Sequence, residues 1–346
     1  MKRDVRFMFR PESEWNHKSE PQEQMIDAIK RTYPRNGLIV APCATGKTAV
    51  MVEDAITNWH KCIFLCPTAQ GCFQLAQALK DHTTMMMDTQ ICVYCGKKKQ
   101  LPRSPWGFLI TTYAMFADSK SLRSKASREA RDFVLNEKWD CVYCDEAHHI
   151  PADTYRKLIE QLLKNAKRGL GFTATPFRNE YCMSKSREEH EREAFGWFAG
   201  HGRNPVLFRL SCRDLERAGL IAKIRRARIN LRLTTEFRKA YEQTSGADKM
   251  YIASLNPCKL TMVKAICETH KAMGHAGIVF VTHLLTARVV GKLLGPQWEI
   301  MSGGSAHGED EAHTPERNND IVQRFNAGEM DGLICTQVGF SSMDVY

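Results

Sequence analysis

No apolar run in this chain approaches the roughly 18 residues that a membrane-crossing helix needs, so no helical span is expected. The opening stretch, MKRDVRFMFRPESEWNHK, has basic residues but no apolar centre long enough for a secretory leader. Short-period repeats and low-complexity tracts are missing too, which sets aside repeat arrays and compositionally disordered segments. Negative charge is in short supply: 39 acidic against 49 basic residues give a net charge of +10 and a pI near 9.0. That balance fits a polyanionic partner such as nucleic acid, or simply a basic globular protein, and charge alone does not separate the two. Cysteine is not scarce. Thirteen of them with no leader point to free thiols in a reducing compartment, hence to an intracellular protein.

The 346 residues suffice for two ordinary domains, each with its own core. Short apolar runs alternate with amphipathic stretches along most of the chain. GLIVA at 37–41, CIFLC at 62–66, GFLIT at 107–111, DCVYCD at 140–145 and GLGFT at 169–173 read as strands buried on both faces of a parallel sheet. KTAVMVEDAITNWH and ADTYRKLIEQLLKNAK read as helices between them. Such alternation predicts a doubly wound α/β domain. The charge-dense SKSREEHEREAF interrupts it and reads as a solvated helix or insertion. A second block follows, with GIVFVT at 277–282, WEIMSG at 298–303 and DGLICT at 331–336 as strands. The expected division is a short N-terminal segment at 1–36, a first α/β domain at 37–180, a charged linker at 181–210 and a second α/β domain at 211–346.

Three stretches carry chemistry. The first, Ala41-Pro42-Cys43-Ala44-Thr45-Gly46-Lys47-Thr48, lies between a strand and a helix, the setting a phosphate-binding loop requires, although Ala41 stands where the first glycine of the pattern is usual. Backbone N–H groups at the helix start would bind phosphates, Lys47 would reach the β- and γ-phosphates, and the Thr48 hydroxyl would ligate magnesium. The second is CVYCDEAHHI, with adjacent carboxylates Asp145 and Glu146 at a strand end, where an open parallel sheet presents its ligand crevice. Asp145 there can hold magnesium, and Glu146 can orient or deprotonate an attacking water. The third, GLGFTATPFR, offers Thr173 and Thr175 as hydrogen-bond partners for His148, coupling the nucleotide site to the second domain.

GKT, DEAH and TATP, in this order and at these separations, resemble a superfamily 2 helicase, more specifically the XPB (xeroderma pigmentosum group B) type. LERAGLIAK, NPCKLTMVKAI, GIVFVTH and ICTQVGFSSMDV extend the likeness from about Pro21 to the end. The resemblance implies two RecA-like doubly wound domains of the P-loop NTPase class, ATP and Mg2+ as cofactors, and an ATP-driven DNA helicase or translocase. Duplex or forked DNA gripped without sequence preference is its implied partner, in a multi-subunit repair and transcription complex of the TFIIH type, nuclear in a eukaryote and without membrane attachment. Residue by residue, it places Gln22 as the adenine contact. Cys43, Ala44, Thr45 and Gly46 line the phosphate loop with Lys47 and Thr48. Thr68, Gln70, Thr112, Arg178 and Thr336 lie along the DNA path, and Gly339 and Asp344 belong to a second-domain motif facing nucleotide.

Departures from the family pattern carry expectations of their own. Ala44 replaces a glycine, and Arg178-Asn179-Glu180 replaces Arg-Glu-Asp, a tripeptide associated with duplex opening. The chain reaches Tyr346 before any Q-x-x-G-R-x-x-R segment, so the second domain is expected to be incomplete and the chain alone to hydrolyse ATP slowly. Rival readings are a restriction-type or chromatin-type translocase, and a non-catalytic DNA- or partner-binding module. The pairs Cys92/Cys95 and Cys141/Cys144 suggest zinc, but alternation along a strand sends the two members of the second pair to opposite faces, and buried free cysteine is the preferred reading. The run Lys97-Lys98-Lys99 reads as a solvated loop. KIRRAR at 223–228 reads equally as a DNA-facing segment and as a solvated strand edge.

Overall fold

The computed structural model describes residues 7–103, 105–117, 124–176, 186–200, 202–223, 225–302 and 315–336. Backbone contacts divide the chain into two units, Met1–Ile224 and Arg225–Tyr346.

The first unit is built on β1 (Gly37–Val40), β2 (Lys61–Cys66), β3 (Ile91–Cys95), β4 (Lys98–Lys99), β5 (Gly107–Thr112), β6 (Trp139–Cys144), β7 (Ala166–Thr173) and β8 (Val206–Arg209). They form one sheet in the order β4-β3-β5-β2-β6-β7-β1-β8, parallel throughout except for the β3–β4 hairpin. The helices are α1 (Glu20–Arg31), α2 (Lys47–Asn58), α3 (Ala69–His82), α4 (Tyr113–Ala117), α5 (Lys125–Asn136), α6 (Asp153–Lys164), α7 (Arg187–Ala199) and α8 (Cys212–Arg217). Side-chain alternation along each strand sorts the core into two layers. Ile39, Phe64, Cys141 and Tyr143 pack with α1, α2 and α3 on one face. Leu38, Val40, Ile63, Leu65, Val142 and Cys144 pack with α5, α6 and α7 on the other. Burial on both faces is why these strands read as continuous apolar runs.

Parallel register brings the C-terminal ends of the strands to one edge. Val40 pairs with Thr173, Cys144 with Gly171, Leu65 with Cys144 and Cys66 with Thr112. Everything that immediately follows β1, β2, β5, β6 and β7 therefore emerges from the same side of the sheet.

The structure corrects the linker. Residues 187–199 form α7, and Phe195, Phe198 and Ala199 are buried in the core of the first unit. Residues 206–209 form β8, the outer neighbour of β1, and α8 also lies in this unit. Glu191, expected on a solvated surface, is 2% exposed and accepts a hydrogen bond from Arg209 Nη2. A charged residue in a charge-dense stretch can be core if it is paired. The lysine run is also not a loop: Lys98 and Lys99 form the exposed edge strand β4, and Lys99 lies over the Tyr94 ring at 4.7 Å. Lysines on an edge strand discourage pairing with other chains. KIRRAR carries no strand among its described residues, and Arg225, Arg226 and Arg228 are exposed.

The second unit contains β9 (Gly277–Phe280), β10 (Trp298–Met301) and β11 (Gly332–Cys335), parallel in the order β10-β11-β9. Around them lie α9 (Thr235–Gln243), α10 (Ala247–Ser254), α11 (Pro257–Ala272), α12 (Leu284–Leu294) and α13 (Pro315–Asn326). Ala287, Val290, Trp298 and Ile334 form one small core, and Met301, Ile321, Phe325, Met330, Leu333 and Cys335 the other. Gly332 is required by packing, because a Cβ there would run into the Trp298 indole and the carbonyl of Gly277.

Candidate functional site

The site begins with the loop after β1. Ala41 is buried and its N–H donates to the Thr173 carbonyl at 3.0 Å, tying the loop to the end of β7. Cys43 and Ala44 are exposed, and Thr45 is buried with its hydroxyl donating to the Pro42 carbonyl at 2.8 Å. Ala44 has φ +62° and Gly46 φ +74°, both left-handed. Gly46 is the N-cap of α2, so the first N–H groups of that helix open onto the loop. Lys47 Nζ donates to the carbonyls of Ala41 at 3.1 Å and Pro42 at 2.9 Å, folding back over the loop that a phosphate would share with it. Thr48 follows on the exposed first turn of α2.

Gln22 lies against this loop. A Cβ at Gly46 would collide with Gln22 Nε2. The other end of the same amide is held by Ser19, whose N–H donates to Gln22 Oε1 at 2.8 Å and whose hydroxyl donates at 3.1 Å. Ser19 and Gln22 form the capping box of α1, so the helix start and the orientation of the glutamine are set by one interaction.

Asp145 and Glu146 leave β6 at the same edge. The Asp145 N–H donates to the Leu65 carbonyl at 2.9 Å, and the Tyr113 hydroxyl donates to the Asp145 carbonyl at 2.6 Å. Glu146 has φ +45°, an unusual conformation for a side-chain-bearing residue that turns the carboxylate out of the strand direction. His148 Nδ1 lies 3.2 Å from Glu146 Oε2 and 3.2 Å from Thr173 Oγ1, and the Thr175 N–H donates to that same hydroxyl at 3.2 Å. One imidazole thus bridges the acidic pair and the loop after β7.

Electrostatics separate the two carboxylates. Desolvation, followed by repulsion from Glu146, raises Asp145 from 3.8 to about 6, against the pull of Lys47. Desolvation pushes Glu146 upward too, but the His148 hydrogen bond and the charges of Lys47, His148 and His149 outweigh it and hold Glu146 below its usual 4.5. Lys47 is close enough to act on both, which places the loop after β1 and the acidic pair in one field.

The structure therefore gathers Gln22, Gly46, Lys47, Asp145, Glu146, His148 and Thr173 at adjoining strand ends. Further along the same edge, Thr68 is the N-cap of α3 and accepts from the Gly71 N–H at 3.1 Å. Gln70 sits in the first turn of that helix. Thr112 ends β5 and is 8% exposed. Thr336 follows β11 in the second unit, its N–H donating to the Met301 carbonyl at 3.1 Å. Arg178, Gly339 and Asp344 lie outside the described residues. Two contributors were not assigned from the sequence. Ser19 was legible as the first residue of an S-x-x-Q capping box. Tyr113 was not, since only strand register puts it beneath Asp145. Cys92 and Cys144 pack on one face of the sheet and Cys95 and Cys141 on the other. Among the described residues no three metal-binding side chains converge, and no helix is long and apolar enough to cross a membrane.

Residues 17–178 match the family described as Type III restriction enzyme, res subunit. Over 90% of its length the chain is 27% identical to the general transcription and DNA repair factor IIH helicase/translocase subunit XPB of Schizosaccharomyces pombe, spanning 35% of that protein. It is 25% identical over the same share to the Saccharomyces cerevisiae subunit XPB/SSL2, spanning 34% of it. The chain thus spans about a third of the length of these relatives. Among solved structures it resembles S. cerevisiae Dbp5 bound to RNA and ADP BeF3, with a TM-score of 0.54 and 16% identity over 93% of this chain and 70% of that one. That likeness bears on the fold, which is α/β and RecA-like, as the motif order implied.

Proposed function

We propose that this chain, which resembles the XPB-type superfamily 2 helicases over nine-tenths of its length, is an ATP-driven motor that moves on or opens duplex DNA. The observation that carries the reading is the convergence of Gln22, Lys47 and the Asp145–Glu146 pair at one sheet edge, with His148 bridging to Thr173. Gln22 would contact the adenine, and the N–H groups after Gly46 and the Lys47 ammonium would receive the phosphates. Magnesium fits the oxygen donors offered by Thr48 and Asp145, and bound there it would screen phosphate charge. Glu146, kept ionised by its surroundings, is suited to orient and accept a proton from the attacking water. His148 links that carboxylate to the loop after β7, a route by which hydrolysis and DNA contact communicate. Thr68, Gln70 and Thr112 present polar groups suited to phosphates rather than base edges. By resemblance, the motor serves excision repair and transcription initiation within a multi-subunit complex, in the nucleus of a eukaryotic host. The restriction-subunit match over 17–178 supports a DNA-translocating ATPase in general, whereas the XPB relatives match across both units.

Two variants test the reading. Lys47→Ala should weaken nucleotide binding, whereas Glu146→Gln should leave binding intact and stop turnover. Hydrolysis at the parental rate by Glu146→Gln would remove that residue from the chemistry. Failure of duplex or forked DNA to stimulate ATP hydrolysis would remove the motor.

A further inference from the structure

At the edge of the first sheet opposite the nucleotide site, the segment 34–36 before β1, the end of α6, the start of β7 and the end of α7 surround an open cavity of 990 Å³. Its floor is apolar, with the Trp197 ring and Leu163 partly accessible. Its rim is cationic: Arg35, Lys164, Lys167 and Arg203 line it. The acidic residue in the lining, Glu160, is already engaged by Arg156 at 2.8 Å. Lys167 pairs with Asp140, but its side chain is 65% exposed. Arg35 Nη2 donates to the Asn204 carbonyl, which holds the guanidinium at the rim. Arg156, whose charge Glu160 meets, stacks over the Trp197 ring at 5.1 Å and holds the indole in place at the groove.

We infer that this groove is a docking site for an acidic, amphipathic peptide segment of a partner protein. Charge complementarity selects the occupant's sign, and the apolar floor selects its type. A segment alternating carboxylates with aromatic or aliphatic side chains would set the carboxylates on the cationic rim and the apolar groups on Trp197 and Leu163. Duplex DNA presents phosphates and has nothing comparable to lay on an apolar floor. The residues proposed for DNA contact, Thr68 and Thr112, also leave the sheet at the opposite edge. Because the groove is built on α6, α7 and the starts of β1 and β7, it is remote from the phosphate loop yet attached to the same strands.

The test measures fluorescence anisotropy of a labelled peptide rich in Glu and Asp and carrying phenylalanines, titrated with the full chain at moderate salt. The expected result is saturable, salt-sensitive binding, weakened about tenfold or more by the double variant K164E/R203E and by replacing the peptide's acidic residues with Gln and Asn. Trp197→Leu should weaken binding while the charge variants' melting temperatures and basal ATP hydrolysis stay at the parental level, since Lys164 and Arg203 are exposed. A labelled duplex should bind the parent and K164E/R203E equally. Absence of peptide binding, or equal binding by the double variant, overturns the proposal. So does loss of duplex binding in that variant, which would make the groove a nucleic-acid surface instead.

Discussion

Two residues of the site are held in forms that cost stability. Ala44 takes φ +62°, where a Cβ is strained and glycine is not. Ala44→Gly should therefore stabilise the first unit by about 1 kcal/mol, after allowance for glycine's greater freedom when unfolded, and raise its melting temperature by about 2–4 °C. A drop in melting temperature would mean that the loop's contacts outweigh its backbone strain. Asp145 pays electrostatically. Its folded pKa of about 6 exceeds the ordinary 3.8, so the folded state binds its proton more tightly. That contribution is complete below about pH 4 and is lost as the pH rises to about 6. Above it the ionised carboxylate costs on the order of 2–3 kcal/mol. Asp145→Asn should accordingly raise stability by up to that amount at pH 8 and change it little at pH 4, as read from denaturant midpoints without nucleotide or magnesium. Equal gains at both pH values would trace the effect to packing instead of charge. A residue kept at a cost to stability is what a site built for another task looks like.

At the scale of elements, α7 and β8 complete the first sheet. β8 covers the outer side of β1, with the Leu38 N–H donating to the Pro205 carbonyl at 2.7 Å and the Leu210 N–H to the Val40 carbonyl at 2.9 Å. Phe195 and Phe198, both fully buried, close the face beneath Leu38 and Val40. A fragment ending at residue 223 should therefore melt cooperatively. One ending at residue 180 should aggregate, because it bares both the phosphate-loop strand and an apolar face. Size-exclusion chromatography and circular dichroism of the two fragments decide the matter. A soluble, cooperative short fragment would show that α7 and β8 are an appendage.

For the whole molecule, the net charge of +10 bears on partners. Binding to a DNA duplex should fall steeply as salt rises, because each phosphate neutralised releases a counterion. Unrelated duplex sequences at one salt concentration should bind within a few-fold of each other. A preference above about 10³-fold for one sequence would contradict a grip made through phosphates. The acidic-peptide groove and the DNA contacts would divide this charge between two edges of the first unit.

Local order was legible from the sequence because it is encoded locally. Continuous apolar runs marked β1, β2, β5, β6 and β7, and the strand–loop–helix setting marked the loop after β1 as a candidate phosphate site. The pairing of GKT, DEAH and TATP at strand ends was enough to collect Lys47, Asp145, Glu146, His148 and Thr173 as one group. Tertiary structure decided what depends on partners distant in the chain. SREEHEREAFGWFA has the composition of a surface helix, yet it buries Phe195, Phe198 and Glu191. The carboxylate is tolerated because Arg209, on a strand that follows, meets it. Tyr113 reaches Asp145 only through the β5–β2–β6 register, and Gln22 reaches Gly46 only because α1 packs beside α2. Hydrophobic period specifies an element and its buried face. Which elements share an edge, and which charge meets its counterpart there, is settled only when the strands pair.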